Sequence, residues 1–192
     1  MTVAQRREEL IGVLREMETD HACPLAESRN KLVFGAGNAD ADLMFVGEAP
    51  GANEDQQGLP FVGRAGKLLD ELLVSVGIER LKDAFTTNVL NCRPPGNRDP
   101  LPNEIEICKP FLFRKIELIE PKVVVTLGNF ATKLLSGSQT GITKVHGVPQ
   151  THTLGHRTVT LFPSFHPSAG LRTPAVAEQM REDFKALPGL LG

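Results

Sequence analysis

The sequence predicts an α/β fold, a single three-layer domain over residues 1–192 in which helices flank a central, mostly parallel sheet of four strands. Short apolar runs alternate along the chain with segments of helical periodicity, as in sheets whose parallel strands are joined by helices. Hydrophobic residues make up 41% of the 192 residues, which suffices for one domain with its own core. A functional site in such a sheet lies at the carboxyl ends of the strands.

The first part of the chain predicts a helix, a strand and a second helix. Apolar residues at helical spacing among charged ones predict an amphipathic helix over residues 4–18. The apolar run 42–46 leads into Gly47 and predicts a strand. The next periodic stretch, from Lys67 to Val76, predicts a helix that stops at Gly77.

The pattern then repeats to the end of the chain. In order, it predicts a strand over 84–90, a helix over 103–119 capped near Pro102, a buried strand over 123–127, a helix over 129–135, a strand over 157–162 and a closing helix over 175–187. No internal repeat, low-complexity tract or linker interrupts this alternation. A single domain with four strands is therefore expected.

The composition excludes several classes of protein. No run of eighteen apolar residues occurs, and none follows the charged start of the chain, so we expect no membrane span and no secretory signal. Three cysteines are too few and too odd in number for a secreted disulfide framework, which leaves free thiols or metal ligands. We expect a cytoplasmic monomer.

The charges are unevenly distributed, although the formal net charge is only −2. Residues 121–172 contain five Lys and Arg, no Asp or Glu, and four of the five histidines. This stretch can form a positive face for nucleic acid on a chain that is acidic on average. The alternative is that it consists only of core strands and loops.

A glycine-rich loop follows the first predicted strand directly. It begins Gly47-Glu-Ala-Pro-Gly51 and contains five glycines by residue 66, which let the backbone bend sharply and approach a ligand closely. The loop leads into a helix N-terminus, which favours an anion. Glu48 stands at the mouth of the sheet, where a carboxylate can position a water molecule or stabilise positive charge. Taken alone, such a loop is also common without any function.

The full string resembles the first motif of the family 4 uracil-DNA glycosylases, in which GE-x-PG is followed by E-D and then by G-x-PFVG-x-AG. The resemblance covers nearly the whole chain, continuing in order through Thr87-Asn88-Val89, Cys92 to Pro100 with Cys108 sixteen residues after Cys92, Val125–Gly128, Ile142–Val145 and Phe162–Pro167. It implies a uracil-DNA glycosylase-like fold. It also implies an enzyme that flips uracil out of DNA and hydrolyses its N-glycosidic bond, beginning base-excision repair.

The resemblance assigns roles to five residues. Phe61 is the stacking platform for uracil, and Asn88 reads the O4 and N3 edge of the base, which differs in cytosine. His166 donates to uracil O2 as negative charge develops, and Glu48 orients water or stabilises the cationic sugar. The backbone around Ala49 lines the pocket, and this small residue leaves the exclusion of thymine to other walls. Apart from the resemblance, Phe61 and His166 could be core residues and Asn88 a strand-end cap.

The resemblance also bears on DNA contacts. A leucine that fills the gap left by the flipped base is common in the family, but Gly170 stands at its place and Leu171 follows. Either Leu171 is the wedge, or the wedge is weak and single-stranded or mismatched substrates are favoured. Arg172 and Lys144 are the expected phosphate contacts.

The family carries a [4Fe–4S] cluster on four cysteines, of which this chain has three, Cys23, Cys92 and Cys108. The position of the missing cysteine, three before Cys23, holds Asp20, and His21 is next to it. Carboxylate and imidazole both ligate iron, so the fourth ligand is Asp20, His21 or none, in which case the cluster is labile or absent. We expect the cluster to be structural and to hold the loop between Cys92 and Cys108 against DNA.

Three other functions compete with uracil excision. One is a related glycosylase with shifted specificity, such as for hypoxanthine or xanthine. Another is a non-catalytic nucleic-acid-binding protein with an iron–sulfur redox sensor, which Asp20 favours because an altered ligand makes a cluster more labile. The third, a phosphate-binding enzyme for small molecules, rests only on the glycine-rich loop.

Overall fold

One mixed sheet runs through the computed structural model of the protein, which describes residues 1–19 and 23–192. Its strands in chain order are β1 (Ala36–Gly37), β2 (Leu43–Gly47), β3 (Ala84–Asn88), β4 (Val123–Leu127), β5 (Gln150–Leu154) and β6 (Arg157–Ser164). Across the sheet the order is β1-β3-β2-β4-β6-β5. The four central strands are parallel, and β1 and β5 are antiparallel edges.

The predicted α/β class and the four central strands are confirmed, but the sheet has six described strands rather than four. The two additional strands gave no apolar run in the sequence. Strand β1 is only two residues long, and polar residues predominate in β5, where exposed and half-buried positions alternate up to Leu154. An edge strand with one solvent-exposed face lacks the continuous run of apolar residues that marks a strand buried on both faces.

Helices connect these strands and cover both faces of the sheet. They are α1 (Val3–Thr19), α2 (Ala52–Gln57), α3 (Arg64–Val74), α4 (Arg80–Asp83), α5 (Pro102–Ile119), α6 (Asn129–Ser136), α7 (Ile142–Val145), α8 (Pro167–Arg172), α9 (Pro174–Phe184) and α10 (Leu187–Leu191), with a 3₁₀ turn at Pro95–Asn97. The five predicted helices are confirmed, except that the closing helix, predicted to reach residue 187, ends at Phe184 and is followed by the short α10. The other described helices have only four to six residues, too few for a periodic pattern. No helix in the described ranges is long and apolar enough to cross a membrane.

The apolar core is divided into two layers by the sheet. Leu43 and Phe45 of β2 point into one layer, with side chains of α3 and α9, whereas Met44 and Val46 point into the other, with side chains of α1 and α5. All four are fully buried. Because successive residues of a strand face opposite sides, an apolar run without alternation predicts a strand covered on both faces.

The order of the strands opens a crevice at the carboxyl ends of the parallel strands. From β2 the chain passes to β3 on one side and then crosses to β4 on the other. At such a crossing point the connections after the strands diverge and leave a crevice beyond the carboxyl ends. Register brings these ends together, since Gly47 lies opposite Asn88 and Leu127 lies opposite Ser164.

Candidate active site

A cleft of about 810 Å³ lies in this crevice. Each of the four parallel strands contributes to its lining at its carboxyl end or within two residues of it, for example Glu48 after β2, Asn88 at the end of β3, Gly128 after β4 and His166 after β6. Ala49 and Phe61 from the glycine-rich loop line the same cleft. The structure thus brings together all five residues that the sequence analysis assigned to catalysis and base binding.

The glycine at the end of β2 makes room for two of these side chains. A β-carbon at Gly47 would collide with Oδ1 of Asn88 and would lie 2.9 Å from Cζ of Phe61. Any larger residue would displace the amide or the ring. Gly47 is therefore required for both side chains to reach the cleft.

Phe61 is only 6% exposed, and its ring lies beside that of His166, with ring centroids 5.6 Å apart and planes tilted by 32°. Its backbone is unusual for a residue with a side chain, because φ is +54°. The left-handed region costs such a residue about 1–2 kcal/mol. A β-carbon at Gly66 would overlap the carbonyl of Phe61, so that glycine admits the turn.

His166 is held as a neutral hydrogen-bond donor. Its Nδ1 accepts the backbone N–H of Ser168 at 3.1 Å and also contacts the Ser168 hydroxyl at 2.8 Å. Because a backbone N–H only donates, Nδ1 carries no proton and the neutral ring carries it on Nε2. Burial, together with the positive charge of Arg172, lowers the pKa of His166 to about 4. Nε2–H is then available to a ligand near neutral pH.

Asn88 and Glu48 supply the other polar groups. Asn88 is 2% exposed, and no described residue bonds its amide, which leaves both the N–H and the oxygen for a ligand in the cleft. Burial raises the pKa of Glu48, and the negative charge of Asp99, another cleft residue, raises it further. A carboxyl group with a raised pKa is suited to exchanging or orienting the protons of a water molecule.

Two acidic residues that the sequence analysis left without a role fix the loop. Oε1 of Glu54 accepts the backbone N–H groups of Val62 and Gly63 at 3.2 and 3.3 Å. Asp55 is 1% exposed and accepts from the backbone and the side-chain amide of Asn30, the former at 2.9 Å. These contacts explain why the loop motif contains an adjacent Glu and Asp.

The structure distinguishes the two candidates for a wedge. Gly170 is buried in α8, and a β-carbon there would lie 3.0 Å from Cδ2 of Leu68 on α3. A side chain at 170 would therefore point into the protein. Leu171 is 39% exposed and precedes Arg172, which lines the cleft. Of the two residues, only Leu171 presents an apolar side chain to the outside.

The five cations of the basic stretch 121–172 do not form one surface. Lys122 and Arg157 lie just before β4 and at the start of β6, far from the cleft, and each forms an ion pair. Lys133 and Arg172 line the cleft. Lys144 lies on α7 and does not reach the cleft lining. The sequence analysis missed Lys133, because a single lysine in a helix carries no distinguishing signal.

The three cysteines meet in a third buried cluster, separate from the two layers of the core, together with Leu25 and Leu90. Hydrogen bonds from Cys108 and Cys92 lower the pKa of the Cys23 thiol, whereas the bond to Cys23 and burial raise the pKa of Cys108. All three cysteines line one small pocket, although Cys23 is 69 residues from Cys92 in the chain. The convergence fits a group that takes several thiolates.

The predicted metal ligands also include a fourth residue, Asp20 or His21. Asp20 and His21 lie outside the described residues. Within residues 1–19 and 23–192, no three or more His, Cys, Asp or Glu side chains are arranged to hold a single metal ion. An iron–sulfur cluster differs from a single ion in that its thiolates bind different iron atoms. The described residues that would hold such a group are the three buried cysteines.

The loop between Cys92 and Cys108 reaches from this cluster to the cleft. Glu104, which is 1% exposed, binds Arg98 through both oxygens, at 2.6 and 3.0 Å, and accepts the backbone N–H of Leu101 at 2.8 Å. Arg98 lines the cleft. On the other side of the cluster, Ala49 packs against it. One wall of the cleft and the thiol cluster are thus in contact.

Comparison with known proteins identifies relatives along nearly the whole chain. A family model described as the Uracil DNA glycosylase superfamily matches residues 34–187. A type-4 uracil-DNA glycosylase of Archaeoglobus fulgidus is 42% identical over 189 residues, covering 96% of this chain and 94% of that protein. Type-4 uracil-DNA glycosylases of Sulfurisphaera tokodaii (44% identity; 86% of this chain, 77% of that one) and Thermotoga maritima (46%; 86% and 85%) are also similar.

The ring of His166 is expected to stay neutral down to about pH 4. An NMR titration of the histidine ring protons, with His166 assigned by His166→Asn, measures this directly. Because an unfolded histidine titrates near 6.5, the group's contribution to stability is present above that pH and is lost as the pH falls to about 4.

Removing the nearby positive charge with Arg172→Gln should raise the pKa of His166, and Lys122→Gln, at the far end of the sheet, should leave it unchanged. A His166 that titrates near 6.5 in the folded protein would contradict the assignment of a neutral donor.

Proposed function

Since this chain belongs to the uracil-DNA glycosylase superfamily, we propose that it hydrolyses the bond between uracil and deoxyribose in DNA and so begins base-excision repair. The observation that carries the proposal is the joint placement of Glu48, Phe61, Asn88 and His166 in one cleft. The type-4 relatives bear the name of this activity over nearly the whole length of the chain. We retain a cytoplasmic monomer as a prediction.

A uracil in double-stranded DNA has to leave the base stack to enter the cleft. A base inside a duplex is shielded by its partner and neighbours, so the nucleotide flips out into a pocket. Phe61 provides an apolar face on which a pyrimidine ring stacks. The free amide of Asn88 donates to uracil O4 and accepts from N3–H. Cytosine has an amine at the first position and no proton at the second, so both contacts would be wrong and the buried amide would be unpaired.

The chemistry separates charge across the N-glycosidic bond. As the bond between C1′ and N1 breaks, its electron pair remains on uracil and positive charge builds on the sugar. Nε2–H of His166 donates a hydrogen bond to uracil O2 and stabilises the negative charge. The neutral ring is already oriented for this bond before the reaction begins. Glu48 orients the water that adds to C1′ or stabilises the cationic sugar. The water supplies the hydroxyl to the sugar and a proton to the released base.

Three buried thiols support a structural iron–sulfur cluster. Cys23, Cys92 and Cys108 would hold a [4Fe–4S] group, with Asp20, His21 or no protein residue as the fourth ligand. Such a cluster supplies a rigid cross-link between the segments that carry its ligands. Those segments carry the Arg98 loop and touch Ala49, so the cross-link would hold two sides of the cleft.

Asn88→Ala tests the proposed recognition. On an oligonucleotide with one deoxyuridine, kcat/KM for uracil release should fall by about 100-fold or more. The reason is that the variant can no longer make the hydrogen bonds to the uracil edge on which kcat/KM depends. Affinity for the DNA should remain within about twofold, since phosphate contacts dominate it. Asn38→Ala, on the edge of the sheet, is the matched control and should be fully active.

The same assay separates the competing functions. Release of hypoxanthine or xanthine in preference to uracil would indicate a shifted specificity. No release of any base, with nucleic-acid binding intact and unaffected by Asn88→Ala, would contradict the glycosylase and favour a binding protein.

Leu171→Ala tests the proposed wedge. Uracil release from duplex DNA should fall by about tenfold while release from a single strand changes little, because only the duplex leaves a gap in the base stack for the side chain to fill. Leu81→Ala, which shortens another exposed leucine away from the cleft, controls for loss of apolar surface. An equal loss on both substrates would mean that Leu171 is not a wedge.

Iron content tests the proposed cluster. Protein purified without oxygen should contain about four irons per chain and absorb visible light, and Cys108→Ser should lower both. Asp20→Ala and His21→Ala distinguish the fourth ligand, because only the ligand's variant should change the reduction potential markedly. A colourless, iron-free anaerobic preparation would refute the cluster but not the glycosylase.

A further inference from the structure

Arg80 is a buried cation that the proposed mechanism does not use. It begins α4, is 8% exposed and does not line the cleft. Burying a guanidinium is unfavourable unless its N–H groups find acceptors. Its hydrogen bonds therefore show which part of the structure it serves.

All of these acceptors belong to Asp70 and to the loop that carries the aromatic platform. Nε and Nη2 of Arg80 bind the two oxygens of Asp70 at 2.6 and 3.1 Å. Nη2 also donates to the carbonyl of Phe61 at 3.0 Å, and Nη1 donates to the carbonyl of Pro60 at 3.3 Å. One side chain thus satisfies two consecutive backbone carbonyls, and Asp70 on α3 fixes the plane of that side chain.

These carbonyls belong to a segment with a strained backbone. Phe61 has φ of +54°, a conformation that persists only when its surroundings impose it. The absence of a β-carbon at Gly66 permits this turn, but it supplies no attraction. Arg80 supplies the attraction, because its N–H groups bond both carbonyls in the observed conformation.

We propose that the pair formed by Arg80 and Asp70 is a latch that positions the Phe61 ring for the flipped base. Arg80 is a positioning residue in this account, since it acts through the backbone of Phe61 and touches neither DNA nor base. The inference rests on the proposed function for its consequence, because the ring matters only if a base stacks on it. Its structural part, the holding of the Pro60–Phe61 turn, is independent of that function.

A second buried arginine provides a matched control. Arg6 is 7% exposed, pairs with Asp40 and Glu120 and donates to the carbonyl of Ile119 at 2.9 Å. It has the same kinds of partners as Arg80, and none of them lines the cleft. Arg6→Met therefore reports the general effect of losing a buried arginine.

The experiment compares Arg80→Met, Arg80→Lys and Arg6→Met with the unchanged protein. It measures thermal unfolding, amide hydrogen exchange in peptides covering residues 58–66, kcat and KM for uracil release, and competitive inhibition by free uracil. Both Met variants should be less stable. Only Arg80→Met should accelerate exchange at 58–66, weaken inhibition by free uracil about tenfold and lower kcat/KM about as much, because the platform is no longer held. Affinity for a uracil-free oligonucleotide should stay within about twofold.

Arg80→Lys should recover part of the loss, since an ammonium group still faces Asp70 but lacks the planar fork for two carbonyls. If Arg80→Met does not fold, Asp70→Asn should give a smaller change in the same direction. The inference is overturned if free uracil inhibits Arg80→Met within about twofold of normal, or if exchange at 58–66 matches that of Arg6→Met. Should the unchanged protein release no uracil, the proposed function fails, and the exchange measurement alone decides whether the latch exists.

Discussion

The site depends on the parallel register that aligns the carboxyl ends of neighbouring strands. Gly47 faces Asn88 across β2 and β3, and Leu127 faces Ser164 across β4 and β6, so residues from four distant parts of the chain end at one edge. A shift of one residue in such a pairing turns every side chain to the other face. It would bury the Asn88 amide among apolar side chains. The filled layers on both faces of the sheet oppose that shift.

The sequence predicts best those features whose signals are local. Strands β2 and β4 are apolar runs, and Glu48, Asn88 and His166 lie at or within two residues of the ends of central strands, so their meeting at the carboxyl ends could be anticipated. The edge strand at Ala36–Gly37 was missed because two residues form no pattern. Arg80 was missed for another reason, because its contact with Phe61 spans 19 residues of chain and exists only after folding. Hydrogen bonds that fix a loop leave no periodicity in the sequence.

The charged residues that affect this cleft are those next to it, so the net charge of −2 for the whole chain does not describe the cleft. Arg172 has two effects at one place. It presents a cation at the rim, and its charge disfavours protonation of His166. This charge adds to the effect of burial, which is the larger cause of the lowered pKa of His166. Glu48 experiences the opposite influence from Asp99, which makes its ionised form less favourable.

The packing around Gly170 links the outer surface of the protein to its interior. A β-carbon at this position would meet Leu68 at 3.0 Å and Ala177 at 3.4 Å, so helices α3, α8 and α9 approach one another as closely as they do because position 170 has no side chain. An increase in side-chain volume at position 170 would consequently have to be compensated by a decrease at position 68. A related chain with a larger residue at 170 needs a smaller one at 68 or a wider spacing of the helices. The wider spacing would also move Leu171, so the fit between Gly170 and the partly buried Leu68 sets how far that exposed side chain projects.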